Sequence, residues 1–219
     1  MLLTRRHFCA GVAALAAVRP ALAAADGSAA GLWSRLMEGN RRFMAGKLRV
    51  RSLPATRQKL VQGQQPNVIV LGCSDSRVSP TLVFDQGLGD LFVIRTAGNV
   101  ADAVALGSIE YAVEHLPTRL LVVLGHDRCG AVSAAAAGGP MHSPNLDAIV
   151  RRIAPAVEKA QARAPGDDLV ATAVEENARE SADNLSGQSD IIRTAVTTGS
   201  LVVVPAVYRL ATGQVVRVR

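Results

Sequence analysis

Aromatic rings are scarce in this chain. One Trp, two Tyr and four Phe make up 3% of its 219 residues, so a core has to be assembled from Ala, Val, Leu and Ile, within a hydrophobic share of 49%. Long apolar runs are missing as well. None approaches the ~20 residues that cross a bilayer as a helix, which excludes a stable helical membrane anchor. No phosphate loop or dinucleotide fingerprint occurs, so nothing points to nucleotide chemistry. Acid is absent from the first 25 residues, which hold Arg5, Arg6 and Arg19. That local imbalance inflates the net charge of +6: the other 21 Lys and Arg face 18 Asp and Glu, a surplus of three. Such a surface is ordinary for a soluble protein and gives no reason to expect a nucleic-acid partner. The basic stretch Asn40 to Arg51 contains one aromatic residue, Phe43, and reads as a solvated helix face and loop.

Cysteine is also scarce: Cys9, Cys73 and Cys129 are the three. Cys9 lies within a segment that reads as an export signal. Thr4-Arg5-Arg6-His7-Phe8 is a twin-arginine pattern, and Phe8 to Val18 is a short apolar run. Arg19-Pro20 then leads into Ala21 to Ala25, small residues that suit an A-x-A cleavage site. Residues 1–25 are therefore expected to be removed on export to the periplasm, leaving residues 26–219 as a single domain. Two cysteines remain. In an oxidising compartment a lone pair is commonly a disulfide, and that reading competes with metal binding until the neighbouring residues are weighed.

Four short apolar runs read as buried strands: Asn67 to Leu71, Leu91 to Ile94, Arg119 to Leu124 and Leu201 to Val204. Their apolarity is continuous, as in a parallel sheet covered on both faces. Leu106, Ile109, Val113 and Leu116 recur at helical spacing, as do Leu146, Ile149, Val150, Ile153 and Val157. Pro155 is expected to kink the second of these helices. Asp167 or Asp168 can cap another, running to about Asp183. Gly31 to Gly46 reads as an amphipathic arm, Ala134 to Pro144 as a flexible loop, and Tyr208 to Val218 as two strands about a turn at Gly213. The fold class is α/β: a central, mainly parallel β-sheet of about four strands flanked by helices, with an N-terminal helical arm and a C-terminal edge hairpin.

Two of the strands end alike. Val68-Ile-Val-Leu-Gly72 runs into Cys73-Ser-Asp-Ser-Arg77, and Leu120-Leu-Val-Val-Leu-Gly125 runs into His126-Asp-Arg-Cys129-Gly130. Sites of open parallel sheets form at the carboxyl ends of strands, so both segments aim reactive side chains at one edge. In extended backbone Cys73 and Asp75 face the same side. A helix beginning just after His126 would bring Cys129 beside it. Two thiolates and an imidazole suit zinc and leave a fourth tetrahedral position for water or for a further ligand. A disulfide alone would need neither His126 nor this placement, and the metal reading is preferred. Two thiolates also neutralise the ion's formal charge, so they polarise water less than three imidazoles would, and neighbouring groups must help more. His142, in the Gly- and Pro-containing loop, is placed to carry protons to solvent but reads more simply as a solvated side chain.

Cys73-Ser-Asp-Ser-Arg77 followed by His126-x-x-Cys129-Gly130 resembles the signature of β-class carbonic anhydrases. Gly39-Asn-Arg-Arg-Phe43, Phe92-Val-Ile-Arg-Thr-Ala-Gly-Asn99, Gly107-Ser-Ile-Glu-Tyr111 and Tyr208-Arg-Leu-Ala-Thr-Gly-Gln-Val215 are similar to that family's other landmarks, in order. The resemblance implies Zn2+ on Cys73, His126 and Cys129, and reversible conversion of carbon dioxide to bicarbonate by attack of zinc-bound hydroxide. It implies a dyad in which Arg77 engages Asp75 and Asp75 orients that hydroxide. In some members this aspartate moves onto the metal, so Asp75 is a ligand only in a closed state. Gln64 matches a position whose amide contacts substrate, although the residues alone leave it a solvated turn glutamine. Homodimers or multiples of dimers are implied too, with the arm around Trp33 lying across a partner. Thr96 stands where asparagine is usual and Arg209 where aspartate is common. Two other readings are a zinc hydrolase of carbon disulfide or carbonyl sulfide on the same fold, and a non-catalytic zinc- or disulfide-stabilised binding protein.

Overall fold

The computed structural model describes residues 27–163 and 168–219. The twin-arginine segment, Cys9 and Asp167 lie outside these residues. Among the described residues Ser28 opens the first helix, α1 (Ala29–Met44), its hydroxyl oxygen accepting from the Gly31 amide at 3.1 Å. There follow α2 (Leu53–Lys59), β1 (Val68–Cys73), the single turn α3 (Pro80–Val83), β2 (Leu91–Thr96) and a 3₁₀ turn over Ala97–Asn99. The chain continues through α4 (Ala103–His115), β3 (Leu120–His126), α5 (Gly130–Ala137), α6 (Pro144–Arg163), α7 (Leu169–Gln188) and α8 (Asp190–Thr197). It ends with β4 (Val202–Tyr208) and β5 (Val215–Arg217).

The five strands form one sheet in the order β2-β1-β3-β4-β5, the first four parallel and β5 antiparallel to β4. Every residue of β1 and β3 is buried, as continuous apolarity requires of strands covered on both sides. Alternation along them divides the core. Val68, Val70, Leu120, Val122 and Leu124 face Leu32, Leu36 and Phe84, whereas Ile69, Leu71, Leu121 and Val123 face Ile109, Leu185 and Ile192. β2 is an edge strand and only partly covered, with Val93 exposed.

Several expectations change in detail. β4 does not stop at Val204 but runs through Pro205 and itself forms the hairpin with β5. Proline is tolerated there because its carbonyl accepts from the Val218 amide, at the point where pairing with β5 ends and no donor is needed. Ala134 to Ala137 belong to α5 and are not loop. α6 continues through Pro155 to Arg163, and α7, capped by Asp168, reaches Gln188, beyond the expected Asp183. The N-terminal arm lies on its own chain's sheet. Gly39 approaches the backbone so closely that a Cβ there would stand 1.7 Å from the Phe84 carbonyl oxygen. Buried Asn40 donates to the Val83 and Gly213 carbonyls and accepts from the Val215 amide, fastening α1 to the hairpin. Two arginines of the basic stretch, Arg42 and Arg51, turn inward to the buried carboxylate of Asp85.

Candidate metal centre

The carboxyl ends of the two central strands deliver the predicted ligands. β1 ends on Cys73 and β3 on His126, while Arg128 takes a left-handed conformation (φ 52°) that turns the chain back and places Cys129 just ahead of α5. A tight turn, then, brings Cys129 beside His126; the helix expected to do so begins only at Gly130. Cys73, His126 and Cys129 are buried, and one ligand atom from each lies within 4.8 Å of the others. The two sulfurs are 3.9 Å apart, well beyond the ~2.05 Å of a disulfide bond, and both cysteines are free.

Hydrogen bonding orients the ring. Nδ1 of His126 lies 2.9 Å from the Asp127 carbonyl oxygen and donates to it, which leaves Nε2 as the acceptor. Nε2 is fully buried and, among the described residues, has no hydrogen-bond partner. An orphaned imidazole nitrogen beside two thiols is costly in a folded core unless it serves as a ligand. The residues present therefore fit a thiophilic divalent ion such as zinc. Asp127 is itself fixed by the Leu210 amide, which donates to its Oδ1 at 2.9 Å. No reading of the sequence had assigned Asp127 a role.

The thiols differ. Hydrogen bonding from Cys129, with help from the Gly98 amide, lowers the Cys73 thiol against the opposing effect of burial. Hydrogen bonding to Cys73, followed by burial, pushes the Cys129 thiol up. Burial alone would lower His126, but its contact with the Cys73 sulfur raises it above the ordinary histidine value. The Gly98 amide lies 3.4 Å from the Cys73 sulfur, in a turn that needs glycine: φ is 70°, and a Cβ would meet Ile153 at 2.6 Å. Asn177 braces that turn by donating to the Gly98 carbonyl.

Asp75 sits at the mouth of the cluster, its Oδ2 3.8 Å from His126 Nε2. Arg77 grips both carboxylate oxygens, at 2.9 and 2.8 Å, and its amide adds a third hydrogen bond. That bonding holds the Asp75 carboxyl well below the usual range. Arg95 ties down the same loop by donating to the Cys73 and Asp75 carbonyls.

Gln64 is placed differently. Its loop precedes β1, so it lies at the amino edge of the sheet, and the six-residue strand separates it from Cys73 by about 20 Å. It is exposed, near Leu60 and Leu88. The expected substrate contact is therefore not made within one chain.

Comparison with known proteins agrees with this geometry. The family model described as carbonic anhydrase matches residues 68–215. Carbonic anhydrase 2 of Mycobacterium tuberculosis is 43% identical over 188 residues, covering 84% of this chain and 90% of the relative. A carbonic anhydrase of Mycolicibacterium smegmatis is 41% identical over 187 residues with the same coverage. Among solved structures, a Coccomyxa β-carbonic anhydrase in complex with acetazolamide superimposes with a TM-score of 0.69 at 30% identity, covering 84% of this chain and 85% of that one.

Proposed function

The chain belongs to the β-class carbonic anhydrase family, and from that membership we propose that it reversibly hydrates carbon dioxide to bicarbonate at a zinc ion held by Cys73, His126 and Cys129. The observation that carries the metal is the buried, unpartnered Nε2 of His126 beside two free sulfurs. Zinc bound there would supply a Lewis acid that makes water nucleophilic near neutral pH.

The chain's own residues do the rest. Asp75 presents an ionised carboxylate oxygen at the mouth of the cluster, where it accepts a hydrogen bond from the attacking water and fixes the direction of its free lone pair. Arg77 keeps that carboxylate charged and occupies both of its oxygens, so the resting arrangement proposed is the open one, with Asp75 on Arg77 and not among the ligands. The apolar side chains beside the cysteines, Val100 and Val132, suit a small apolar substrate and keep competing solvent out.

Gln64 can fulfil its implied role only if another subunit brings it. The stretch that carries it favours such a contact: no residue of α2 is buried, and Val50, Leu53, Val61 and Leu88 are all exposed. A homodimer with shared sites is therefore part of the proposal. Export by the twin-arginine route is proposed from the pattern of residues 4–25 alone.

Stopped-flow hydration of carbon dioxide by the purified zinc-loaded protein tests this reading. Rapid hydration that disappears in Cys129→Ser is expected. Turnover of carbon disulfide or carbonyl sulfide without hydration would replace it with the related hydrolase, and no turnover of any of the three would leave a binding protein.

A further inference from the structure

Arg209 stands where the family commonly has aspartate, and the structure surrounds it with more arginine. Arg163 at the end of α6, Arg179 on α7, Arg209 after β4, and Arg217 and Arg219 on and after β5 line one concavity of about 210 Å³. Five guanidinium groups meet two carboxylates there. Glu176 pairs with Arg163 and Arg179, and Glu175 with Arg209, each at 2.6 Å. Among the described side chains the surplus is three positive charges in one small hollow. Like charges so gathered repel one another unless an anion joins them.

The remaining donors show where an anion would sit. Arg179 is spent: it pairs with Glu176 and donates twice to the main-chain oxygen of Arg219. Among the described residues, Arg163 and Arg209 each use one terminal nitrogen and keep the rest of their five N–H donors. Arg217 is exposed, and among the described residues its guanidinium has no ion pair or hydrogen bond. Planar forks of this kind bind oxyanions through paired, charge-assisted hydrogen bonds.

We propose that this pocket binds a tetrahedral dianion of the phosphate and sulfate class, held by Arg217 together with the free donors of Arg209 and Arg163. A divalent anion offsets most of the local surplus, and the hollow has room for one such ion with water. None of its lining residues belongs to the metal centre, so the site stands whether or not the catalytic reading does.

Calorimetric titration of the full-length protein as purified tests it, with sodium phosphate, sodium sulfate and sodium chloride each injected at matched ionic strength. Phosphate and sulfate are expected to bind at one site per chain and chloride not at all. Arg217→Ala should weaken both dianions about tenfold, as loss of one charged bidentate donor implies, and Arg209→Ala should do the same. Arg57→Ala, on exposed α2 outside the pocket, should leave them unchanged. Heats for the dianions no greater than for chloride would overturn the proposal. So would undiminished binding in Arg217→Ala, which would put the anion elsewhere, or an equal loss in Arg57→Ala, which would reduce the effect to diffuse surface charge.

Discussion

Cys73, His126 and Cys129 form, among the described residues, the one group of three or more potential ligands close enough to hold a single ion. Losing any one leaves two, too few to fix a tetrahedral site. Cys73→Ser, His126→Ala and Cys129→Ser are each expected to retain less than about a tenth of the wild-type zinc after dialysis, measured by elemental analysis. Asp75→Asn should instead keep its zinc and lose about 10²- to 10⁴-fold in hydration rate, the usual scale for a positioned acid–base group. Arg77→Ala separates charge from position. Its guanidinium holds the Asp75 carboxyl low, so the charged form is present above that depressed pKa and lost only as pH falls through it. Without Arg77 the pKa moves up, and the acidic limb of the kcat/KM profile should move up with it. These roles were legible because each residue ends a buried strand or follows one within four positions. The help given by Gly98 and Asp127 was not legible, since each acts through backbone atoms whose direction only the turns determine.

At the level of elements, the sheet was readable because β1 and β3, covered on both faces, appear as short unbroken runs of Val, Leu and Ile, while the coverage of the edge strand β2 was overestimated. Short helices escaped notice. α2 buries nothing and so leaves no apolar period. α8 follows α7 directly, marked only by Ser189, whose side chain caps it by accepting from the Ile192 amide. Ala134 to Ala137 looked like loop because alanine followed by Gly-Gly-Pro carries no periodicity, yet alanine is the best helix former. The seat of α1 depends on Gly39, and here a prediction follows from contact alone. Gly39→Ala puts a methyl group against the Phe84 carbonyl, and α1 must lift from the sheet. A loss of about 3 kcal/mol in unfolding free energy is expected from overpacking at a rigid backbone contact, read by chemical denaturation. A change below about 0.5 kcal/mol would mean that α1 is not seated as described.

For the whole molecule, the family resemblance implied dimers or multiples of dimers, but the sequence could not say which edge of the sheet each residue would reach, and Gln64 shows the consequence. If its amide serves the site of another subunit, mixing two impaired proteins should restore activity. A hybrid of Gln64→Ala with Asp75→Asn contains one site with both residues intact, so co-refolded mixtures should exceed either parent; if Gln64 acted within its own chain, no mixture would recover. Export is tested separately: the Arg5→Lys, Arg6→Lys double variant should accumulate as cytoplasmic precursor, whereas unchanged export would point to the general secretory route. The central claim is that one ion, bound by two sulfurs and an imidazole, makes this chain a carbonic anhydrase. Its most direct test is the hydration rate of metal-free protein during titration with zinc, with thiol accessibility followed in the same sample. The account predicts activity rising linearly to a break at one zinc per chain while Cys73 and Cys129 become protected from thiol reagent. Zinc binding that leaves both thiols reactive, or full occupancy without hydration, would contradict it.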